Sequence, residues 1–422
     1  EAFDVEVAPD ETPAEIAAAA EFAAEGDHDR RFFGQPLALA HVFGVEMWER
    51  FSFYGMQGIL LIYLYFSAAD GGLGVPQAVA TGIVGAYGGA VYLSTILGAW
   101  VADRLLGAER VLFISAWVIM IGHLALALLP GFWGVGVGLI LVAIGSGGLK
   151  ANATSVVGTL YSPNDTRRDA GFSIFYLGIN LGAFFGPLLT GLLQSTAGFH
   201  WGFGLAALGM AAGLVQYSFG RKGLPDASRI VPNPLPSKRY PLVIGIAVVA
   251  IAIVVALVLL GVIRPSNLAV VVILVTVVAT IAYFFVILSS KQVTETERSR
   301  VFAFISLFIV SVGFWSLYQQ QFTVLTVDGP TTFHSGLNGY AFTGLMAVLG
   351  IAFAFGKASV FKYISDDYPK NIGAISGIVG LAGGMGGFVL PILFGMLMDW
   401  TGIRSSAFML MYGVVWVSLI WM

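Results

Sequence analysis

Residues 46–55 read Glu46-Met-Trp-Glu49-Arg50-Phe51-Ser-Phe53-Tyr54-Gly55, three charges inside a stretch, 36–66, that is otherwise largely apolar and long enough to cross a bilayer. A charge at mid-membrane costs about 2.5–3.5 kcal/mol on insertion scales, so three together need a reason. Spacing of i, i+3 and i+4 puts Glu46, Glu49 and Arg50 on one helical face. A fourth intramembrane charge, Lys150, belongs to a later stretch of the same kind, 133–160. Two acids and two bases cancel, and a paired cluster facing a polar cavity is the least costly arrangement. A structural ion pair gluing the first and fourth spans is the alternative, although buried pairs seldom stabilise better than apolar packing. A carboxylate beside a lysine can also take up a proton and free the lysine for an anion, which requires a shared titration.

Outward from there, apolar runs recur near 79–101, 111–129, 133–160, 171–193 and 202–219. A polar, proline-rich linker occupies 221–241. Two runs built almost wholly of Val, Ile, Leu and Ala follow, near 241–263 and 267–289, and then spans near 301–327, 340–363, 373–398 and 405–422. The reading is an all-α membrane protein of 12 spans. Composition agrees: of 422 residues 57% are hydrophobic and 11% charged, mean hydropathy is +0.85, and soluble domains carry about 25% charge. Six spans, a linker and more spans suggest two lobes with a site between them. The expected division is an acidic disordered tail at 1–31, a six-helix lobe at 32–220, a linker with two extra lipid-facing membrane helices at 221–300, and a second lobe at 301–422. With the N-terminus on the cytoplasmic side, most of the 21 lysines and arginines fall on cytoplasmic segments.

Several function classes drop out. There is no cysteine, so no disulfide framework, thiolate metal site or cysteine catalysis. A net charge of −3 offers no basic field for nucleic acid. The five histidines (28, 41, 123, 200 and 334) are scattered, and no metal-ligand spacing, phosphate loop or nucleophile triad is visible. An enzyme is not expected, nor a metal or other cofactor. Ten of the 24 acids lie in residues 1–29, and no positive start followed by an apolar run suggests a cleaved signal peptide.

Residues 46–55 resemble the ExxERFxYYG motif of the proton-dependent oligopeptide transporters, a branch of the major facilitator superfamily. Residues 98–110, with Asp103, Arg104 and Arg110, agree, as do Gly147-Gly-Leu-Lys150-Ala-Asn152 and residues 171–180, which end on Asn180. The resemblance covers about 36–327 and implies a two-lobe helical bundle. It also implies proton-coupled symport of di- and tripeptides across the cytoplasmic membrane by alternating access, driven by the proton gradient, in a monomer. From the resemblance, Arg50 and Lys150 would bind the peptide carboxylate; a guanidinium fork suits a planar carboxylate and an ammonium adds a point charge. Glu46 and Glu49, with Lys150, would couple the proton. Tyr54, Gln57, Tyr92, Asn180 and Trp315 would line the pocket, and Asp103, Arg104 and Arg110 would form a gating latch on the cytoplasmic side.

The pattern departs in places. Phe53 replaces a tyrosine, Gln57 stands where many members carry arginine, and Gln319 occupies the position of a usual glutamate in the stretch Phe314-Trp315-Ser-Leu-Tyr318-Gln319-Gln320. Glutamine cannot titrate, so coupling falls to Glu46 and Glu49. Beyond Val327 three spans stand where the family has five, which makes the second lobe incomplete or composite. Residues 377–391 resemble the glycine-rich signature of the nitrate/nitrite porters of the same superfamily, over about 339–422; tight helix packing explains such glycines equally well. Alternatives are therefore a small-anion transporter or a composite membrane protein without transport. Residues 81–100, the second span, lack the arginine that a nitrate clamp would need.

Overall fold

The computed structural model describes residues 29–162 and 165–289, with single positions beyond (295, 298, 299, 301, 302, 305, 308, 312, 400 and 401). The spans expected at 301–327, 340–363, 373–398 and 405–422, with Trp315, Gln319 and the glycine-rich run, lie outside this set apart from those single positions.

Eight long helices follow one another: α1 (Leu37–Tyr65), α2 (Gln77–Val101), α3 (Ala108–Leu128), α4 (Gly131–Gly158), α5 (Arg168–Ala197), α6 (Phe199–Gly220), α7 (Tyr240–Leu259) and α8 (Leu268–Ser289). Among the described residues there is no strand, only an isolated bridge between Phe32 and Gln35. Helices α2 to α8 are long and apolar enough to cross a membrane. The charged helix α1 has 29 residues, about 43 Å at 1.5 Å per residue. Each helix begins and ends within a few residues of its apolar run because the punctuation is local. Pro36, Pro76 and Pro130 stand just before α1, α2 and α4, where a missing N–H is harmless. Gly107 and Gly198, at φ of 82° and 100°, reverse the chain between helices.

Helix α1 packs on α5 and α6, α4 holds α2 and α3, and α3 also meets α6. Small residues permit this. Gly182 and Gly186 of α5 lie so close to the α1 backbone at Met47 and Phe51 that an added methyl would collide with it, the close approach that membrane helices favour. Hydroxyls and amides then bridge helices: Thr190 Oγ1 donates to the Gly55 carbonyl at 2.9 Å, Ser52 Oγ to Ala206 at 2.7 Å, and Asn152 Nδ2 to Gly98 at 3.3 Å. Leu39, Met56, Leu60, Leu112, Ile119, Phe175 and Phe203 fill the interior between them.

The oily pair divides. No residue of α7 is buried, as a lipid-facing helix requires. Helix α8 instead leans on α2 and buries Ala269, Thr276 and Thr280. Its two threonine hydroxyls donate to the carbonyls of Val272 and Thr276, both at 2.8 Å, and so enter the contact satisfied. The end of the expected acidic tail also has a structural task. Asp29 accepts from Arg31 and from the first backbone N–H of α1, that of Leu37, at 3.0 Å. Arg31 holds the Asp29 carboxyl well below the usual carboxylate range.

Candidate functional site

The α1 charges meet as their spacing dictates. Arg50 Nε donates to Glu46 Oε1 at 2.9 Å and stands 2.7 Å from Glu49 Oε2, with side chains 5, 3 and 0% exposed. The other Glu49 oxygen accepts from Ser146 Oγ of α4 at 3.0 Å. Ser146 lies one helical turn before Lys150, a spacing legible in the sequence although the resemblance does not single the serine out.

Lys150 departs from the expected four-way pairing. Its Nζ rests 4.0 Å from the centre of the Tyr92 ring, and among the described residues no carboxylate is within ion-pair distance of it, although Glu46, Glu49 and Arg50 remain within electrostatic reach. The reason is local: Ser146 already satisfies the Glu49 oxygen on the α4 side, and the negative face of Tyr92 takes the ammonium. Arg50 adds a second cation–π contact, 5.6 Å to Phe53.

Among the described residues five buried polar atoms lack a hydrogen-bond partner here: Glu46 Oε2, Glu49 Oε2 and Arg50 Nη2 in the knot, Tyr87 Oη within electrostatic reach of it, and Gln57 Oε1 two turns beyond Arg50 on α1. Buried polar groups are nearly always satisfied, so such a concentration marks a place for water or a ligand. Arg50 Nη2 in particular leaves one arm of the guanidinium fork open.

Of the remaining sequence-predicted residues, Tyr54 is half-buried one turn beyond Arg50, against Phe53 at 5.3 Å. Gln57 and Tyr92 are buried. Asn180 is not brought to the charges: it lies on the exposed side of α5, and its Nδ2 donates to the Tyr176 carbonyl of its own helix at 3.0 Å. Tyr176 stands nearer the knot, within reach of Glu46.

The residues expected to form a latch stand at the end of α2 and the start of α3. Asp103 and Arg104 sit on a π-helical turn, Ala102–Leu106, that ends α2; Asp103 and Arg110 are exposed. Among the described residues none of the three forms an ion pair. What Asp103 and Arg104 contribute is backbone: their carbonyls accept from Asn233 and Leu235, both at 2.9 Å, and so dock the linker. The ionic contact belongs to Glu109, in the first turn of α3 and fully buried. Arg221 reaches both its oxygens, at 2.7 and 3.0 Å, and Arg229 Nε lies 3.7 Å away. Arg221 also stacks 3.8 Å over Phe113. Glu109 is not among the expected site residues, because nothing in a single sequence says that arginines 112 and 120 residues later return to it.

A bundle of long apolar helices, seven of them able to cross a bilayer, with a buried ionic knot on its first helix is a multi-pass membrane protein. Residues 109–343 match the family model described as PTR2, POT family, and the chain belongs to that family. It is 42% identical over 309 residues to a di-/tripeptide transporter of Lactococcus lactis, covering 71% of this chain and 62% of that one. To an uncharacterized transporter of Bacillus subtilis it is 42% identical over 311 residues, covering 73% and 63%. The chain thus spans less than two thirds of the length of these curated relatives. A crystal structure of a POT family transporter in complex with a thioalcohol-conjugated peptide superimposes with a TM-score of 0.82 at 30% identity, covering 93% of this chain and 96% of that one. These relatives are transporters, not enzymes.

Proposed function

We propose that this chain takes up di- and tripeptides together with protons across the cytoplasmic membrane, its N-terminus on the cytoplasmic side, by alternating access. The observation that carries the reading is the open Nη2 arm of Arg50, held at mid-helix by two carboxylates with Lys150 in electrostatic reach. A peptide's carboxylate matches that arm and the nearby ammonium. In this reading Glu46 and Glu49 occupy Arg50 when ionised. Protonating one of them loosens its hold, frees the guanidinium for the substrate carboxylate, and so links proton uptake to peptide binding. Tyr54, Gln57 and Tyr92 would shape the pocket around the peptide. Asn180 and Trp315 belong to the proposal as lining residues, and the proton gradient is the energy source. The docked linker at Asp103 and Arg104, with Arg110 beside it, would gate the inner end, and the monomer would suffice for the cycle. The small-anion alternative draws no support from α2, which carries no arginine between residues 81 and 100.

The test is uptake of radiolabelled dialanine into liposomes carrying the purified full chain, with an imposed proton gradient. Arg50→Ala is expected to abolish uptake, and Arg50→Lys to retain only a minor part, since an ammonium cannot form the fork. Active wild type accompanied by an equally active Arg50→Ala would refute the clamp.

A further inference from the structure

Tyr87, on α2, is not among the residues that the sequence singles out. Its side chain is 5% exposed, and its ring packs beside that of Phe53 at 6.0 Å and 30°. A phenylalanine would fill that slot equally well, yet a hydroxyl is present, buried and without a hydrogen-bond partner among the described residues. It lies within electrostatic reach of Glu49 and Arg50. Glu49 Oε2 faces Arg50 Nε at 2.7 Å but makes no aligned hydrogen bond. An orphan donor and an under-satisfied acceptor thus lie buried within electrostatic reach of each other, and a common water would satisfy both.

We infer that Tyr87 is a positioning residue for Glu49: its hydroxyl steadies the ionised carboxylate beside Arg50, and so sets the pH at which Glu49 takes up its proton and releases Arg50 to load the site. The inference rests on the transport reading above. The charged and titratable groups around Glu49 are Glu46 and Arg50 on α1 and Lys150 on α4, with Tyr87 on α2; Tyr54 of α1 lies by Arg50, Tyr92 of α2 by Lys150 and Tyr176 of α5 by Glu46. Those of α6 lie elsewhere, His200 against the end of α3 and Tyr217 against Phe113. Of these neighbours Arg50 and Lys150 are engaged, by the two carboxylates and by Tyr92 respectively, which leaves Tyr87 as the orphan donor on the α2 side.

A hydroxyl donated to a carboxylate favours the charged form. Removing it should let Glu49 protonate at higher pH, with the midpoint moving up by about one pH unit, a tenfold change in proton affinity. Two readouts separate this from the transport reading. In liposomes, Tyr87→Phe should shift the pH profile of dialanine uptake by that amount toward alkaline pH. In purified protein without peptide, the infrared carboxyl band that Glu49→Gln removes should persist to correspondingly higher pH in Tyr87→Phe. Phe53→Tyr, which places a hydroxyl on the neighbouring ring, should restore part of the shift in the Tyr87→Phe background. Phe53→Tyr alone should move the band the opposite way, which keeps the idea testable where Tyr87→Phe folds poorly. Wild type without peptide uptake would overturn the transport reading, whereas an unmoved infrared titration in both single variants would overturn the role of Tyr87.

Discussion

Replacing Glu109 by glutamine keeps the volume of the side chain and removes only its charge, so it isolates the contact between α3 and the linker. Glu109 accepts two charge-assisted hydrogen bonds from Arg221, at 2.7 and 3.0 Å, and is itself fully buried. Such bonds contribute about 1.5–3 kcal/mol each. Arg221 is 28% and Arg229 26% exposed, so solvent screens both and the lower end applies. The amide carbonyl retains one neutral acceptor, leaving a net loss of about 2–3 kcal/mol. At roughly 2–4 °C per kcal/mol, the melting temperature should fall by about 4–12 °C. Tryptophan fluorescence during a thermal ramp of the detergent-purified chain measures it. Arg221→Gln should show a similar fall, and the double variant should melt no lower than the worse single one, because the two changes remove the same interaction. Strict additivity, or a Glu109→Gln protein that melts with the wild type, would refute the assignment of this contact as the tie between linker and bundle.

Three further outcomes are expected. Gly186→Ala should destabilise the α1–α5 contact by about 1–3 kcal/mol, because the methyl meets the Phe51 backbone; a lowered melting temperature checks it, and an unchanged one would mean that the helices separate freely. Asp165, between α4 and α5, accepts from Arg167 at 2.8 Å, which holds its carboxyl below the usual range. Its contribution is therefore complete above the unfolded value near pH 4 and is lost as pH falls through the folded one. Amide protection in this connection, measured against the intrinsic exchange rate at each pH, should fall in acid, and Asp165→Asn should show the same low protection at neutral pH. Thr190→Val should weaken the α1–α5 contact by about 1 kcal/mol, through the lost bond to the Gly55 carbonyl, read as an earlier thermal transition.

The helices are legible in the order of residues alone because each apolar run has to satisfy its own backbone. A span in lipid has no other hydrogen-bond partners, so Pro36, Pro76, Gly107 and Gly198 mark the ends, and the six-helix order with its oily pair follows. The knot of Glu46, Glu49 and Arg50 is equally legible, since i, i+3 and i+4 is a one-dimensional rule. Where the partner lies on another helix, that rule is silent. The turn between Ser146 and Lys150 is visible in one dimension, but not that the serine takes the carboxylate while the lysine goes to Tyr92. Nor can spacing bring Tyr87 beside Phe53, carry Arg221 and Arg229 back to Glu109, or turn Asn180 toward its own helix. The sequence by itself determined which segments cross and which charges share a face, for these are local properties of a helix in an apolar solvent. Only the tertiary structure decided which of the buried charges are paired across helices and which polar atoms are left open, because that depends on how close small residues such as Gly182 and Gly186 allow the helices to come.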